Sequence, residues 1–477
     1  MHRASNSAVA ALALIVFAAL PLRAIAADPT GAPTRQDYER RIEQLEKDIQ
    51  DLKKDTRQLE VANEDQSKLR PVAGYDNGFF IRTQDGNYAL RVGGYTQLDG
   101  RFFLDDLKDV SQFTLRRARI DVSGTVAKYF DFRILPDFQG GRLQLFDAYV
   151  EAKYLPEARL RIGKFKPPVG IERLQSATNL LFAERGLPTN LVPNRDLGAQ
   201  VGGDLFLGVF SYALGIFNGT ADNLNPSDLD INDDKDFDGR IFTQPFLQTA
   251  AVPLRGFGIG FAGSYGHEGG TVSSPDLPSY KTFGQSTFFS YKADSPATST
   301  GTAIAKGPRY RVSPQGYYYF GPFGFFFEYV RSTQDVHIDK KVSDTETSPV
   351  DGSVANDAWQ VRAEWVLTGE DATYFGVKPA KPFDPFNLGN GAWGAFEIGA
   401  RYNELEVDKD AFTLGFADPK KSARKAKEFV LGANWFLNRN IMIALDWART
   451  EFTGGASGGT GNRPTEDVFL TRVQLVL

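Results

Sequence analysis

From Pro71 to the final residue the side chains alternate with a period of two, and no helical repeat interrupts that pattern. Phe146, Ala148, Val150, Ala152 and Tyr154 share one face, while Asp147, Tyr149, Glu151 and Lys153 take the other. The arrangement returns in Phe257, Ile259 and Phe261, in Phe396, Ile398, Ala400 and Tyr402, in Phe429, Leu431, Ala433 and Trp435, and in Ile441, Ile443, Leu445 and Trp447. Strands patterned this way have one apolar and one polar or small side. A soluble sandwich and a membrane barrel share that property, so the decision rests on the strand ends. Aromatics gather there, as in Tyr317-Tyr318-Tyr319-Phe320 and Trp435-Phe436, where an interfacial girdle places them. A short turn such as Leu437-Asn438-Arg439-Asn440 alternates with long polar stretches, Ala221 to Arg240 and Ser332 to Asp357, which read as external connections. Phe469, Thr471, Val473, Leu475 and Leu477 form a terminal strand. At roughly 25 residues per strand and connection, residues 75–477 predict an all-β transmembrane barrel of about sixteen antiparallel strands.

Export and hydropathy signals bear on the same choice. Arg3, the apolar run Ala8 to Leu20 and the small residues Ala24-Ile25-Ala26-Ala27 have the parts of a secretory signal peptide, predicted to span residues 1–26. Beyond it no window approaches the roughly 18 apolar residues that a spanning helix requires, and the mean hydropathy is −0.31. A closed barrel is the other way to satisfy every backbone group in lipid. The absence of cysteine excludes thiolate metal sites and cysteine nucleophiles, and suits passage through an oxidising periplasm. A net charge of −5 says nothing about the charge inside a lumen.

Before the strands, from Thr34 to Arg70, Tyr38, Ile42, Leu45, Ile49, Leu52, Thr56 and Leu59 recur at steps of four and three. This is a heptad seam with Ile at a and Leu at d in its best part, and it predicts an α-helical coiled coil in the periplasm; a single amphipathic helix on the barrel rim is the alternative. Polar Thr56 and Asn63 at later a positions leave the number of helices open.

The densest local signal is Arg116-Arg117-Ala118-Arg119-Ile120-Asp121. With Ala118, Ile120 and Val122 toward lipid, Arg117, Arg119 and Asp121 face the lumen. Arg116 then has the wrong parity and must lie above the apolar band or on a bulge. Guanidinium groups suit phosphate and carboxylate oxygens, and basic rings are a usual device of anion pores. Equally, these arginines could pair with Asp121, Asp147 or Glu151 and be neutralised. After Lys164-Phe165-Lys166-Pro167-Pro168 the prolines stop the ladder. The connection that follows runs to about Asp196 with Glu172, Arg173, Glu184, Arg185 and Arg195, and a loop this long is expected to fold into the barrel as a constriction. Asp234, Asp236, Asp238 and Gly239 imitate half a calcium loop, but Pro245 stands where the bidentate Glu belongs, so a solvated external loop is expected. His2, His267 and His337 are too scattered for a zinc site or hydrolytic triad.

The order of these pieces, from Arg116 through Asp147 to Arg173, then Phe182-Ala183-Glu184-Arg185, Gly215-Ile216-Phe217-Asn218-Gly219, Gly391-Ala392-Trp393-Gly394-Ala395-Phe396-Glu397, Arg401-Tyr402 and Leu431-Gly432-Ala433-Asn434-Trp435-Phe436-Leu437-Asn438, resembles the phosphate-selective porin O and P family over roughly Gly78 to the C-terminus. The resemblance implies a trimer of sixteen-stranded barrels passing anions along an arginine-lined path. On it, Arg116 and Arg117 match the paired arginines, Asp147 matches the acidic residue of the constriction, and Arg173 stands where phosphate-selective members have lysine. Tyr95 departs from the pattern, occupying the place of another arginine.

The expected function is passive diffusion of small anions, phosphate first, across the bacterial outer membrane. Arg116, Arg117, Arg119, Asp147, Arg173 and Arg185 are the candidate binding residues, with a homotrimer in the lipid bilayer as the assembly. A general pore without selectivity, or a structural barrel tethering the membrane through the coiled coil, are the alternatives. No enzyme, cofactor, metal or nucleic-acid partner is implied, and nothing resembles a nucleotide-binding loop, so transport runs down the solute's own gradient.

Overall fold

A computed structural model describes residues 34–68, 70–104, 110–225, 233–343 and 346–477; the expected signal peptide lies outside them. The chain divides into two compact units, Met1–Lys68 and Leu69–Leu477. In the first, a helix spans Arg35–Lys68, and the Asp37 carboxylate accepts from the Thr34 amide at 3.0 Å and hydroxyl at 2.7 Å at its start. Tyr38, Ile42, Leu45, Ile49, Leu52 and Leu59 form an exposed stripe along it, as the heptad spacing predicts.

Among its described residues the second unit contains twenty strands: β1 Pro71–Tyr75, β2 Phe79–Thr83, β3 Ala89–Phe103, β4 Gln112–Val126, β5 Phe130–Asp137, β6 Gln144–Leu155, β7 Ala158–Phe165, β8 Asp196–Leu205, β9 Phe210–Phe217, β10 Asp236–Thr243, β11 Phe257–Gly269, β12 Ser279–Lys281, β13 Thr287–Ser290, β14 Ile304–Phe320, β15 Phe323–Lys341, β16 Thr347–Val366, β17 Ala395–Glu406, β18 Ala423–Phe436, β19 Ile441–Gly454 and β20 Glu466–Val476. Sixteen of them, β3 to β11 and β14 to β20, pair antiparallel in sequence order, and β20 returns to β3 with Val473 opposite Leu98. The ladder is a closed barrel of sixteen strands without a free edge. The hairpin β1–β2 pairs on the lower end of β3, and there Leu477 and Gly94 exchange backbone hydrogen bonds of 2.8 and 3.2 Å.

Alternation sorts the faces as expected. Ile120, Val150, Ile162, Leu214, Leu431 and Val473 stand exposed on the outside, while Arg311, Arg401, Arg472, Asp446 and Asn403 are buried inside. Two of the barrel's bulges break the parity beside the open part of the lumen. Gln97 pairs with Arg117 and Leu98 with Leu115, so Arg116 is an extra residue in β4. Leu135 pairs with Asp147 and Pro136 with Leu145, which makes Phe146 the extra residue in β6. Phe146, read from periodicity as part of the outer apolar face, instead turns inward.

Further differences follow from polar strands that outlast the apolar band. Ser332–Asp357 is not an external loop: β15 runs to Lys341 and β16 starts at Thr347. In the stretch 221–240 the segment from Asp236 onward is β10, with Asp236 and Asp238 buried rather than solvated. The longest connections are 166–195 and 270–303 at one end, where 218–235 and 407–422 also lie, and, at the short-turn end, 367–394. The hairpin β12–β13 in connection 270–303 folds into the mouth, where Tyr280, Phe288 and Phe289 pack on Leu187, Leu191, Val354 and Phe416. That apolar filling occupies the β15 to β19 side and leaves open space along β3 to β10.

Gly94 has φ of +148°, and a Cβ there would lie 2.2 Å from the Arg119 carbonyl oxygen. Gly94→Ala should therefore destabilise the barrel by about 2 to 4 kcal/mol through clash and left-handed strain. Urea unfolding of the purified protein checks this; a midpoint equal to the wild type would contradict the register of β3 on β4.

Candidate functional site

The connection from Lys166 to Arg195 enters the barrel and crosses it. Backbone groups in it are satisfied by the far wall: the Ala183 amide donates to Asp446 Oδ2 at 2.8 Å, the Leu187 amide to Asn403 Oδ1 at 2.7 Å, and the Leu181 carbonyl accepts from Asn434 Nδ2 at 2.7 Å. Two carboxylates pin it. Glu172 accepts from Arg362 Nη1 at 3.1 Å and has Arg401 Nη1 at 3.7 Å. Glu184 receives Arg116 Nε at 2.5 Å and Nη2 at 3.1 Å, with Arg472 at 3.5 Å and Arg117 at 3.6 Å. Burial by itself would raise the Glu184 carboxyl, but Arg116 and Arg117 outweigh it and hold the group below the ordinary carboxylate range. The bulge at Arg116 is what lets two consecutive arginines reach one carboxylate.

Opposite these anchors lies a cavity of about 700 Å³. Among the described residues, twelve basic side chains line it against one carboxylate, Asp147. All six residues singled out from the sequence, Arg116, Arg117, Arg119, Asp147, Arg173 and Arg185, are on its wall. The sequence candidates did not include Arg101, Arg133, Arg161, Lys166, Arg195, Arg240 and Lys281, which also line it. Strand parity could have placed Arg133 and Arg240 inside; Lys166 and Arg195 needed the path of the loop.

Some of these charges are compensated. Arg119 Nε meets Asp137 Oδ2 at 2.7 Å, Arg133 bridges Asp121 at 2.7 Å and Asp147 at 3.2 Å, Arg195 Nε meets Asp147 Oδ1 at 3.0 Å, and Arg161 meets Glu151 at 2.6 Å. Others are held by neutral dipoles alone among the described residues. Arg173 donates to the Thr189 carbonyl at 2.6 Å, Asn223 Oδ1 at 2.6 Å and Asn194 Oδ1 at 3.2 Å. Arg185 donates to the carbonyls of Gln175 at 2.8 Å and Glu172 at 3.1 Å, and Lys166 Nζ to those of Gln175 at 3.0 Å and Leu174 at 3.1 Å. Burial, then neighbouring Arg195 and Arg185, push Lys166 well below its ordinary value. Carbonyl partners fix Arg173 and Arg185 in place without cancelling their charge, while the Lys166 ammonium gives up its proton more readily than an exposed lysine.

Aromatic rings set the guanidinium planes. Arg119 lies 3.8 Å from the Phe146 centroid and 5.6 Å from that of Tyr95, whose hydroxyl accepts from Arg119 Nη1 at 2.7 Å. Arg161 lies 4.3 Å from the Tyr149 centroid, and Arg195 4.9 Å from that of Phe146. Such stacking leaves guanidinium edges open to an anion.

Asp236 and Asp238 lie elsewhere on the inner wall, where Arg311 meets Asp236 at 3.0 Å and Asp222 at 2.6 Å. Among the described residues no group of three His, Asp or Glu side chains could hold a metal ion.

Comparison with known proteins agrees with this architecture. The model of the family phosphate-selective porin O and P matches residues 87–477. Porin O of Pseudomonas aeruginosa is 24% identical over 442 residues, covering 84% of this chain and 91% of that protein. The solved outer-membrane channel DcaP of Acinetobacter baumannii has the same fold, with a TM-score of 0.50 at 10% identity over 85% of this chain and 100% of that one. The chain belongs to the phosphate-selective porin O and P family: it is an outer-membrane porin, a channel and not an enzyme.

Glu184→Gln removes the carboxylate that compensates Arg116 and Arg117. The anion-to-cation permeability ratio should rise, read as a larger reversal potential under a KCl gradient, while the uncompensated arginines cost the fold about 3 to 5 kcal/mol. A ratio that falls would contradict this placement of charge.

Proposed function

We propose that this member of the phosphate-selective porin O and P family passes small anions passively, phosphate first among them, through a site formed by Arg116, Arg117, Arg119, Asp147, Arg173 and Arg185 with Lys166. The observation that carries this reading is the imbalance on the cavity wall, twelve basic groups against Asp147, in which Arg173, Arg185 and Lys166 bind neutral oxygens instead of carboxylates. An entering anion meets donors already aimed and already desolvated. Arg119 edges serve as a second contact, and Asp147 fixes Arg133 and Arg195 and prevents an anion from binding so tightly that it blocks passage. Tyr95, in the place of a family arginine, lowers the charge by one but orients Arg119 through its hydroxyl.

Assembly as a trimer has support in strand length. β5, β7, β9 and β10 each have 8 residues, about 20 Å of height at a barrel tilt, short of the roughly 25 Å apolar band. A wall that short is best covered by another copy. The exposed stripe of the N-terminal helix, with Ile42 and Ile49 at a and Leu45 and Leu52 at d, fits association of the copies through a periplasmic coiled coil.

The test is the current through the purified porin in a planar bilayer under a KCl gradient, followed by phosphate titration. Selectivity for chloride and reduction of the chloride current by phosphate are expected, and replacement of both Arg173 and Arg185 by Gln should weaken phosphate block about tenfold or more, since each charge-assisted contact contributes roughly 1.5 to 3 kcal/mol. Cation selectivity, or block unchanged in the double variant, would overturn the reading.

A further inference from the structure

The connection 367–394 lies at the short-turn end, where other connections such as 321–322 and 437–440 are brief. It is anchored to the barrel: the Ala372 amide donates to the Gly321 carbonyl at 2.8 Å, Phe383 to Leu437 at 2.6 Å, and Ala372, Val377 and Ala392 are buried. Part of it rises into the lumen and ends on Tyr374. That ring stacks on Tyr317 of β14 with centroids 5.6 Å apart and planes at 24°. Its hydroxyl donates to the Ile171 carbonyl at 2.7 Å, and its backbone carbonyl accepts from Gln175 Nε2 at 2.6 Å.

Ile171 and Gln175 bound the single helical turn Ile171–Leu174 of the constriction loop. The same turn supplies every oxygen that holds Lys166 and Arg185, namely the carbonyls of Glu172, Leu174 and Gln175, and it carries Arg173. Gln175 is tied to the wall as well, its Oε1 accepting from Arg362 Nη2 at 3.2 Å. Tyr374 makes no hydrogen bond to Lys166, Arg173 or Arg185, yet it holds both ends of the turn that aims them.

We propose that Tyr374 is a positioning residue: connection 367–394 acts as a brace from the periplasmic side that fixes the register of the turn 171–175 and so the orientation of Lys166, Arg173 and Arg185 in the lumen. This rests on the anion-site reading above. A brace fixed at one end to the barrel wall and at the other to the loop couples a change at the periplasmic rim to the geometry of the cation cluster.

The chain has no cysteine, so one introduced at Ser176, an exposed residue on the cavity wall directly after the turn, is a unique probe. The full-length Ser176→Cys porin is reacted in detergent with an anionic and a cationic thiosulfonate of equal size. Faster reaction of the anionic reagent is the result expected of the anion site; a preference for the cationic one removes that reading whatever Tyr374 does. With the preference established, Tyr374→Phe, which keeps the stacked ring and removes the hydroxyl, should reduce the anionic-to-cationic rate ratio by about threefold to tenfold, the shift that one hydrogen bond supports. Tyr374→Ala should reduce it further. Phe386→Ala, in the same connection but 94% exposed, should leave it unchanged. Retained strand circular dichroism identifies the variants that fold. A ratio unaltered in the folded Tyr374→Phe and Tyr374→Ala proteins, or reduced equally by Phe386→Ala, overturns the brace.

Discussion

Two carboxylates on one loop, Glu172 and Glu184, determine how the interior of this barrel is divided. Each is buried and each gathers arginines from the wall, Arg362 and Arg401 for the first, Arg116 and Arg472 for the second. An unpaired charge in such a place costs several kcal/mol, so neither side can move without the other. The loop is thereby fastened across the lumen, and the acids of the loop are consumed by wall arginines on its outer flanks. What remains facing the open space is basic: Lys166, Arg173 and Arg185, whose partners are carbonyl and amide oxygens.

The apolar parts of the interior follow from the same partition. Tyr280, Phe288 and Phe289 on one connection close over Leu187 and Leu191 of the constriction loop, filling one side of the mouth with packed side chains that water and ions do not cross. From the opposite end, Tyr374 and its neighbours support the loop beneath. The conduit is therefore eccentric, along β3 to β10, and its chemistry is that of the strands which border it. The bulges at Arg116 and Phe146 both lie on that border, one delivering an extra guanidinium to Glu184 and the other a ring against Arg119 and Arg195.

Much of the frame could be read from residues alone, because a period of two is a direct imprint of one wet and one dry face. The lumen parity of Arg117 and Arg119 came from that imprint, the strand number from the length of the alternating stretch, and the inward loop from its prolines and length. Arg116 was legible as an anomaly, since its parity demanded a bulge. Phe146 was not, because an apolar residue on an apolar face raises no conflict until the pairing of Leu135 and Pro136 is known. The stretch Ser332–Asp357 misled for a related reason: polarity there reports strands extending past lipid, not a loop. Asp236 looked solvated because the arginines that neutralise it, Arg309 and Arg311, are some seventy residues away in sequence; Asp238 is buried two residues on in the same strand. Local pattern carries faces and turns; it does not carry the long-range ion pairs that decide which charges stay free.

The central claim is that the free cations at the constriction bind anions where the wall arginines elsewhere cannot. Anomalous diffraction from crystals soaked in bromide tests it most directly. Bromide peaks within contact distance of Lys166, Arg173 and Arg185, and none beside Arg362, Arg401 or Arg472, are the predicted result. A lumen with no bromide, or with bromide gathered at Arg362, Arg401 or Arg472 instead, would contradict the account.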